Sequence, residues 1–222
     1  MDGIREQTRY ICQVCATTSA RWLGRCPGCG GYNTMEQEIV TKNSKPSSLA
    51  TGDGPIPIGA VQSEHVQRIS TGIAEVDRVL GGGMVPNGYF LLGGDPGIGK
   101  STLLLQIASF VSREGPVLYI TAEESQGQTR IRAQRLGDLP DSLYIMAEGN
   151  IERIEQAIRA QKWQLVVVDS LQTVYDPEIE SAPGSVGQVR GIAARLMRLA
   201  KEACPIFLVG HVNKEGSKRP AA

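Results

Sequence analysis

Tyr89-Phe90-Leu91-Leu92-Gly93-Gly94-Asp95-Pro96-Gly97-Ile98-Gly99-Lys100-Ser101-Thr102-Leu103-Leu104 joins two apolar segments through a glycine-rich turn. Gly94 to Ser101 fits G-x-x-x-x-G-K-[ST], and a strand feeding a helix through that loop is the context in which the motif cradles phosphates. Glycines let backbone N–H groups converge on phosphate oxygens without Cβ obstruction, and the new helix offers unpaired N–H groups at the positive end of its dipole. Lys100 adds a mobile cation, and Ser101 adds a hydroxyl ligand for Mg2+. The competing reading is a glycine-rich turn with no ligand. The full motif with both flanks outweighs it and implies nucleoside triphosphate binding at Gly94, Asp95, Pro96, Gly97, Ile98, Gly99, Lys100, Ser101 and Thr102.

Downstream, apolar β-favouring runs recur at 117–120, 143–146, 165–168 and 206–209. Helical patterns lie at 129–136, from Ile151 to Ile158, and from Val189 to Ala200; upstream, Ile73, Val76, Val79 and Leu80 share one helical face that Gly81-Gly82-Gly83 stops. Short continuous apolar strands alternating with helices predict an α/β fold with a parallel sheet covered on both faces. Ligands in such sheets gather at the carboxyl ends of the strands. There stand Asp169, a candidate Mg2+ ligand or else a helix cap, and Glu123 and Glu124. A carboxylate at Glu123 or Glu124 can orient and deprotonate an attacking water, or simply complement the dipole of the next helix. His211 closes the last strand as a γ-phosphate contact or a structural hydrogen-bonder.

The 222 residues, 41% hydrophobic, allow one α/β core and a small extra module. Formal net charge is zero, so any nucleic-acid affinity must come from local patches. No apolar run reaches the length of a membrane span and the first residues lack a secretion signal, so a cytoplasmic protein without membrane partners is expected. Cys12-Gln13-Val14-Cys15 and Cys26-Pro27-Gly28-Cys29 are two C-x-x-C pairs ten residues apart. Each can present two thiolates from a tight turn, and together they predict a structural Zn2+ ribbon over 1–36 in preference to disulfides or a redox pair. Arg5, Arg9, Arg21 and Arg25 with Trp22 and Tyr32 leave both a nucleic-acid role and a docking role open for this ribbon. Cys204 reads as a buried thiol. Residues 37–60 read as a Ser/Pro/Gly-rich linker, 61–216 as the P-loop core and 217–222 as a tail.

The knuckles, Trp22 to Cys29, Ser70 to Ile73, Leu80 to Gly83, Gly93 to Thr102, Glu123 to Ser125, Val166 to Ser170 and Gly210 to Gly216 together closely resemble the RadA (Sms) family of RecA-like bacterial DNA-repair ATPases. The resemblance runs from the first knuckle to Gly216. It implies a RecA-like core, with Lys100 and Ser101 as the phosphate-loop lysine and Mg2+ ligand, Asp169 as the second acidic motif, and Glu123 as the catalytic glutamate. It implies that His211 couples γ-phosphate to DNA binding, and that the segment from Leu171 to Val189 faces DNA. Arg190, Arg195 and Lys214 become candidate DNA contacts, while Arg198 and Lys201 share the helix with the first two. Members are expected to form hexameric rings that hydrolyse ATP on single-stranded or branched DNA, working with recombinase proteins.

Family members continue past Lys214-Glu215-Gly216, where this chain reads Ser217 to Ala222 and stops. A C-terminally truncated core is therefore expected, in which Tyr89 to Leu92 becomes a sheet edge if its flanking strand is missing. Three functional readings follow: a DNA-dependent, helicase-like ATPase, an ATP- and zinc-binding module without turnover, and a small-molecule kinase. The placement of Glu123, the zinc ribbon and the lack of an obvious Arg-rich lid weigh against the kinase.

Overall fold

The computed structural model describes residues 7–40, 55, 57–60, 66–137 and 139–211. Residues 41–54 of the expected linker, the candidate DNA contact Lys214 and the tail 217–222 lie outside the described residues.

The N-terminal module is a three-stranded antiparallel sheet of β1 (Gln7–Cys12), β2 (Thr18–Ser19) and β3 (Met35–Val40), ordered β2-β1-β3. β3 pairs with β1 along its whole length, from Cys12↔Met35 to Gln7↔Val40. The ribbon's sheet therefore extends past the boundary expected at residue 36, because residues 37–40 continue the backbone ladder onto Tyr10, Arg9, Thr8 and Gln7 of β1.

The two knuckles are built alike. Ala16 N–H donates to Cys12 O and Gly30 N–H to Cys26 O, each at 2.9 Å. Val14 N–H donates to Cys12 Sγ and Gly28 N–H to Cys26 Sγ, each at 3.4 Å. Ala16 and Gly30 close the turns at φ 59° and 74°. That left-handed conformation suits glycine and costs alanine about 1–2 kcal/mol.

The core is a five-stranded parallel sheet of β4 (Tyr89–Gly94), β5 (Val117–Thr121), β6 (Leu143–Ala147), β7 (Leu165–Asp169) and β8 (Ile206–His211), ordered β4-β8-β7-β5-β6. Among the described residues five α-helices accompany it: α1 (Ala74–Val79), α2 (Lys100–Val111), α3 (Gln126–Gln134), α4 (Ile151–Arg159) and α5 (Val186–Glu202). Period-two alternation divides the burial between the faces. Leu118, Ile120, Val166 and Val168 pack with Ile154 and Ile158 of α4 and Ile192 and Leu196 of α5. Val117, Tyr119, Leu165 and Val167 pack with Leu104, Ile107 and Val111 of α2. Every residue of β5 and β7 is buried, as a sheet covered on both faces requires.

Both of the last helices start on side-chain caps: Asn150 accepts from Glu152 N–H, and Ser185 accepts from Gln188 N–H. α5 thus begins at Val186, inside the segment to Val189 expected to face DNA as a loop. Cys204 is buried, and burial pushes its thiol up to about 11, in keeping with a structural role. Among the described strands β4 ends the sheet, and its Leu91 is 63% exposed, the edge expected from the sequence. Among the described residues no helix is long and apolar enough to cross a membrane.

Candidate functional site

The topology gathers the site at the carboxyl ends of four strands. The chain leaves β4, forms α2, and returns as β5 on the far side of β7 and β8. Registers Gly94↔His211 and Thr121↔Asp169 align the strand ends in one row. A parallel sheet with such an order change opens a crevice at that edge.

The phosphate loop ends β4 and starts α2. Gly97 and Gly99 take φ 80° and 95°, values that an L side chain rarely adopts, and Gly99 stands directly before the first helical residue. Lys100 is 7% exposed, and its Nζ donates to the carbonyls of Gly94 at 2.9 Å and Asp95 at 2.8 Å. The loop thus curls around the ammonium, while Pro96, Gly97, Ile98 and Gly99 lie at the surface. Ser101 and Thr102 follow in the first turn of α2, partly exposed.

Asp169 ends β7 and is 7% exposed. Its Oδ2 accepts from the Tyr119 hydroxyl at 2.6 Å. Burial, with the Asp169 charge adding to it, pushes the Tyr119 phenol far above its ordinary range and keeps it a donor. The next residue, Ser170, donates its hydroxyl to Glu123. Glu124 instead pairs with Arg132 of α3, so the two neighbouring glutamates point to different partners. Glu123 is the one tied to the end of β7. Tyr119, Ser170 and Arg132 were not singled out from the sequence, because their partners lie on other elements.

His211 ends β8 as the backbone neighbour of Gly94, so the sheet brings its position beside the phosphate loop. Arg190 is exposed on α5. Arg195 is different: its guanidinium meets both oxygens of Glu155 at 3.0 and 2.9 Å, and Asp176 Oδ2 at 2.7 Å. Those bonds, Glu155 first, drive its pKa further up. Arg195 thus forms an internal tie between α4, α5 and the loop at Asp176, a role that helix charge counting cannot see. Buried Gln188 completes that tie, accepting from Asp176 N–H at 2.8 Å and donating to the carbonyls of Asp176, Ile179 and Ser181.

In the ribbon, the four Sγ atoms of Cys12, Cys15, Cys26 and Cys29 lie within 4.8 Å of one another. A tetrahedral Zn2+ with thiolate bonds of ~2.3 Å needs sulfurs about 3.8 Å apart, so the set fits the metal. Burial works against ionising Cys12, but Thr34 and the backbone groups of Cys15 and Val14 outweigh it and hold the thiol down to about 6. For Mg2+, a serine hydroxyl and a buried carboxylate at the crevice are the hard oxygen donors such an ion takes.

The chain matches the rubredoxin metal binding domain over residues 10–37 and the AAA domain family over residues 57–217. Similar curated proteins include the DNA repair protein RadA of Halalkalibacterium halodurans, 50% identical over 96% of this chain and 48% of that protein. The Bacillus subtilis protein of the same name is 48% identical over 96% of this chain and 48% of its own length. That of Listeria monocytogenes is 46% identical over 98% and 49%. The chain spans about half the length of the curated relatives it matches. A phosphate loop between β4 and α2, an acid ending β7 and a match across most of the sequence agree: this chain belongs to the AAA domain family.

Proposed function

We propose that this chain carries the ATP-hydrolysing core of a DNA-dependent, helicase-like ATPase of recombinational DNA repair, behind a structural zinc ribbon. Its work would be to bind single-stranded or branched DNA and promote strand extension or branch migration. The observation that carries the reading is the loop Gly94–Thr102, whose neighbouring strand ends supply Asp169 and Glu123 to the same edge of the sheet. The names of the similar proteins supply the repair context.

In this reading Lys100 and the N-terminal N–H groups of α2 hold the phosphates, and Ser101 and Asp169 hold Mg2+. The ion, when bound, neutralises charge on the phosphate oxygens. Glu123, held by Ser170, orients the attacking water and takes its proton, and His211 senses the γ-phosphate beside Gly94. Exposed Arg190 and the segment beyond β8 that includes Lys214 supply DNA contacts. Cytoplasmic location, a hexameric ring and contact with recombinase proteins belong to the same proposal, as do the linker between ribbon and core and the tail after Gly216.

The test is ATP hydrolysis with and without single-stranded DNA, alongside Lys100→Ala and a direct nucleotide titration. Turnover stimulated by DNA and lost in the variant is the expected result. Turnover equal in both proteins would overturn the site. A second reading, nucleotide and zinc binding without turnover, is favoured by one observation: among the described strands β4 ends the sheet, with Leu91 exposed. Tight binding without hydrolysis would select it.

A further inference from the structure

Tyr119 lies on β5 directly opposite Val167, and Asp169 is two residues further along β7. Residues two apart on a strand share a face, so Tyr119 and Asp169 both point toward α2. The diagonal between such positions is about 7–8 Å, a span that a tyrosine can bridge and a short polar side chain cannot. The phenol bridges it, donating to Oδ2 at 2.6 Å from a side chain that is 1% exposed. Its ring is packed among Leu104, Leu105 and Val167, so the hydroxyl has little freedom to turn elsewhere.

We infer that Tyr119 is a positioning residue for the metal site: its hydroxyl holds Asp169 by Oδ2 and leaves Oδ1 to face a Mg2+-bound water. An aspartate at a strand end otherwise has free rotation about its terminal torsion, and a carboxylate that must order a metal-bound water loses affinity when it turns. A hydrogen bond to a charged group is also worth more than one between neutral partners. The assignment rests on the proposed nucleotide site and adds a residue that the motif itself does not contain.

The test is titration of a slowly hydrolysed fluorescent ATP analogue, first in EDTA and then across a Mg2+ series. The proteins are wild type, Tyr119→Phe, Asp169→Asn and the double variant, with melting followed for each. Tyr119→Phe should leave the EDTA affinity within about twofold and raise the half-saturating Mg2+ concentration roughly tenfold. In the Asp169→Asn background it should add nothing, since residues acting through one group are not additive. Unchanged Mg2+ dependence in Tyr119→Phe, an equal loss in EDTA, or additivity in the double variant would overturn the assignment. Wild-type binding that is indifferent to Mg2+ would overturn it while leaving the nucleotide site standing. No binding by the wild type would remove both. Should Tyr119→Phe melt early, Tyr119→Leu, which also lacks the donor, is compared at a temperature where both remain folded.

Discussion

Ser170 donates its hydroxyl to the carboxylate of Glu123, tying the loop after β5 to the residue that follows Asp169. The two acids of the crevice thus stand on hydroxyl donors, Tyr119 for one and Ser170 for the other. Ser170→Ala removes the second without touching the phosphate loop. We expect ATP turnover to fall about tenfold with nucleotide affinity unchanged, the pattern of a lost transition-state interaction. Steady-state kinetics and a binding titration on the same variant check it.

The ribbon's stability should come from its metal. Its buried cluster comprises Cys12, Cys26 and Met35, with Tyr10 and Leu23 packed against it, too little apolar surface to hold three strands. One Zn2+ per chain is expected, bound with a free energy of about 10 kcal/mol or more. Chelation or Cys26→Ser should abolish amide protection in β1 and β3 and spare β5 and β7. Elemental analysis with hydrogen exchange reads both, and a protected ribbon without metal would contradict the account.

Asp77 should make the core sensitive to acid. Its carboxylate accepts from the Ser70 hydroxyl at 2.7 Å, from Thr71 N–H at 2.8 Å and from the Thr71 hydroxyl at 2.7 Å. Partial burial opposes ionisation, but the Thr71 and Ser70 bonds prevail and hold its pKa below the usual carboxylate value. The unfolded chain therefore takes up the proton first. The contribution is fully present above about pH 4 and is lost as pH falls through the lower folded value. Asp77→Ala should cost about 1–2 kcal/mol near neutral pH and less at pH 3, as read by denaturant unfolding at both.

Arg195 is expected to matter for folding and not for DNA. Removing it leaves Glu155 and Asp176 facing each other with side chains 23% and 5% exposed. Breaking a buried pair costs about 3–5 kcal/mol, and partial exposure here reduces that to about 2. Arg195→Met should lower the melting temperature while single-stranded DNA affinity at a permissive temperature stays level. Arg190→Ala should do the reverse. Fluorescence anisotropy with a labelled oligonucleotide, paired with thermal melts, separates them.

Much of this was legible from local pattern. The phosphate loop, the two knuckles and the five core strands each lie within a short window of sequence, because backbone conformation and period-two burial are local properties. Strand ends at 121 and 169 were within a residue or two of their expected positions. The ribbon's outer strand is not legible in a short window because β3 forms only by pairing with β1, from Met35 against Cys12, twenty-three residues back, to Val40 against Gln7, thirty-three residues back.

The amino-acid sequence by itself determined the chemistry on offer: glycines able to take positive φ before Lys100, thiols at metal-binding spacing, and acids at strand ends. The tertiary structure alone decided which acid meets which partner. Glu123 and Glu124 are adjacent and chemically identical, yet one reaches Ser170 and the other Arg132. Arg190 and Arg195 share a helix, yet only the second meets Glu155 and Asp176. Such choices depend on the order β4-β8-β7-β5-β6 and on which face each helix covers, and no short window of sequence contains the atoms that make them.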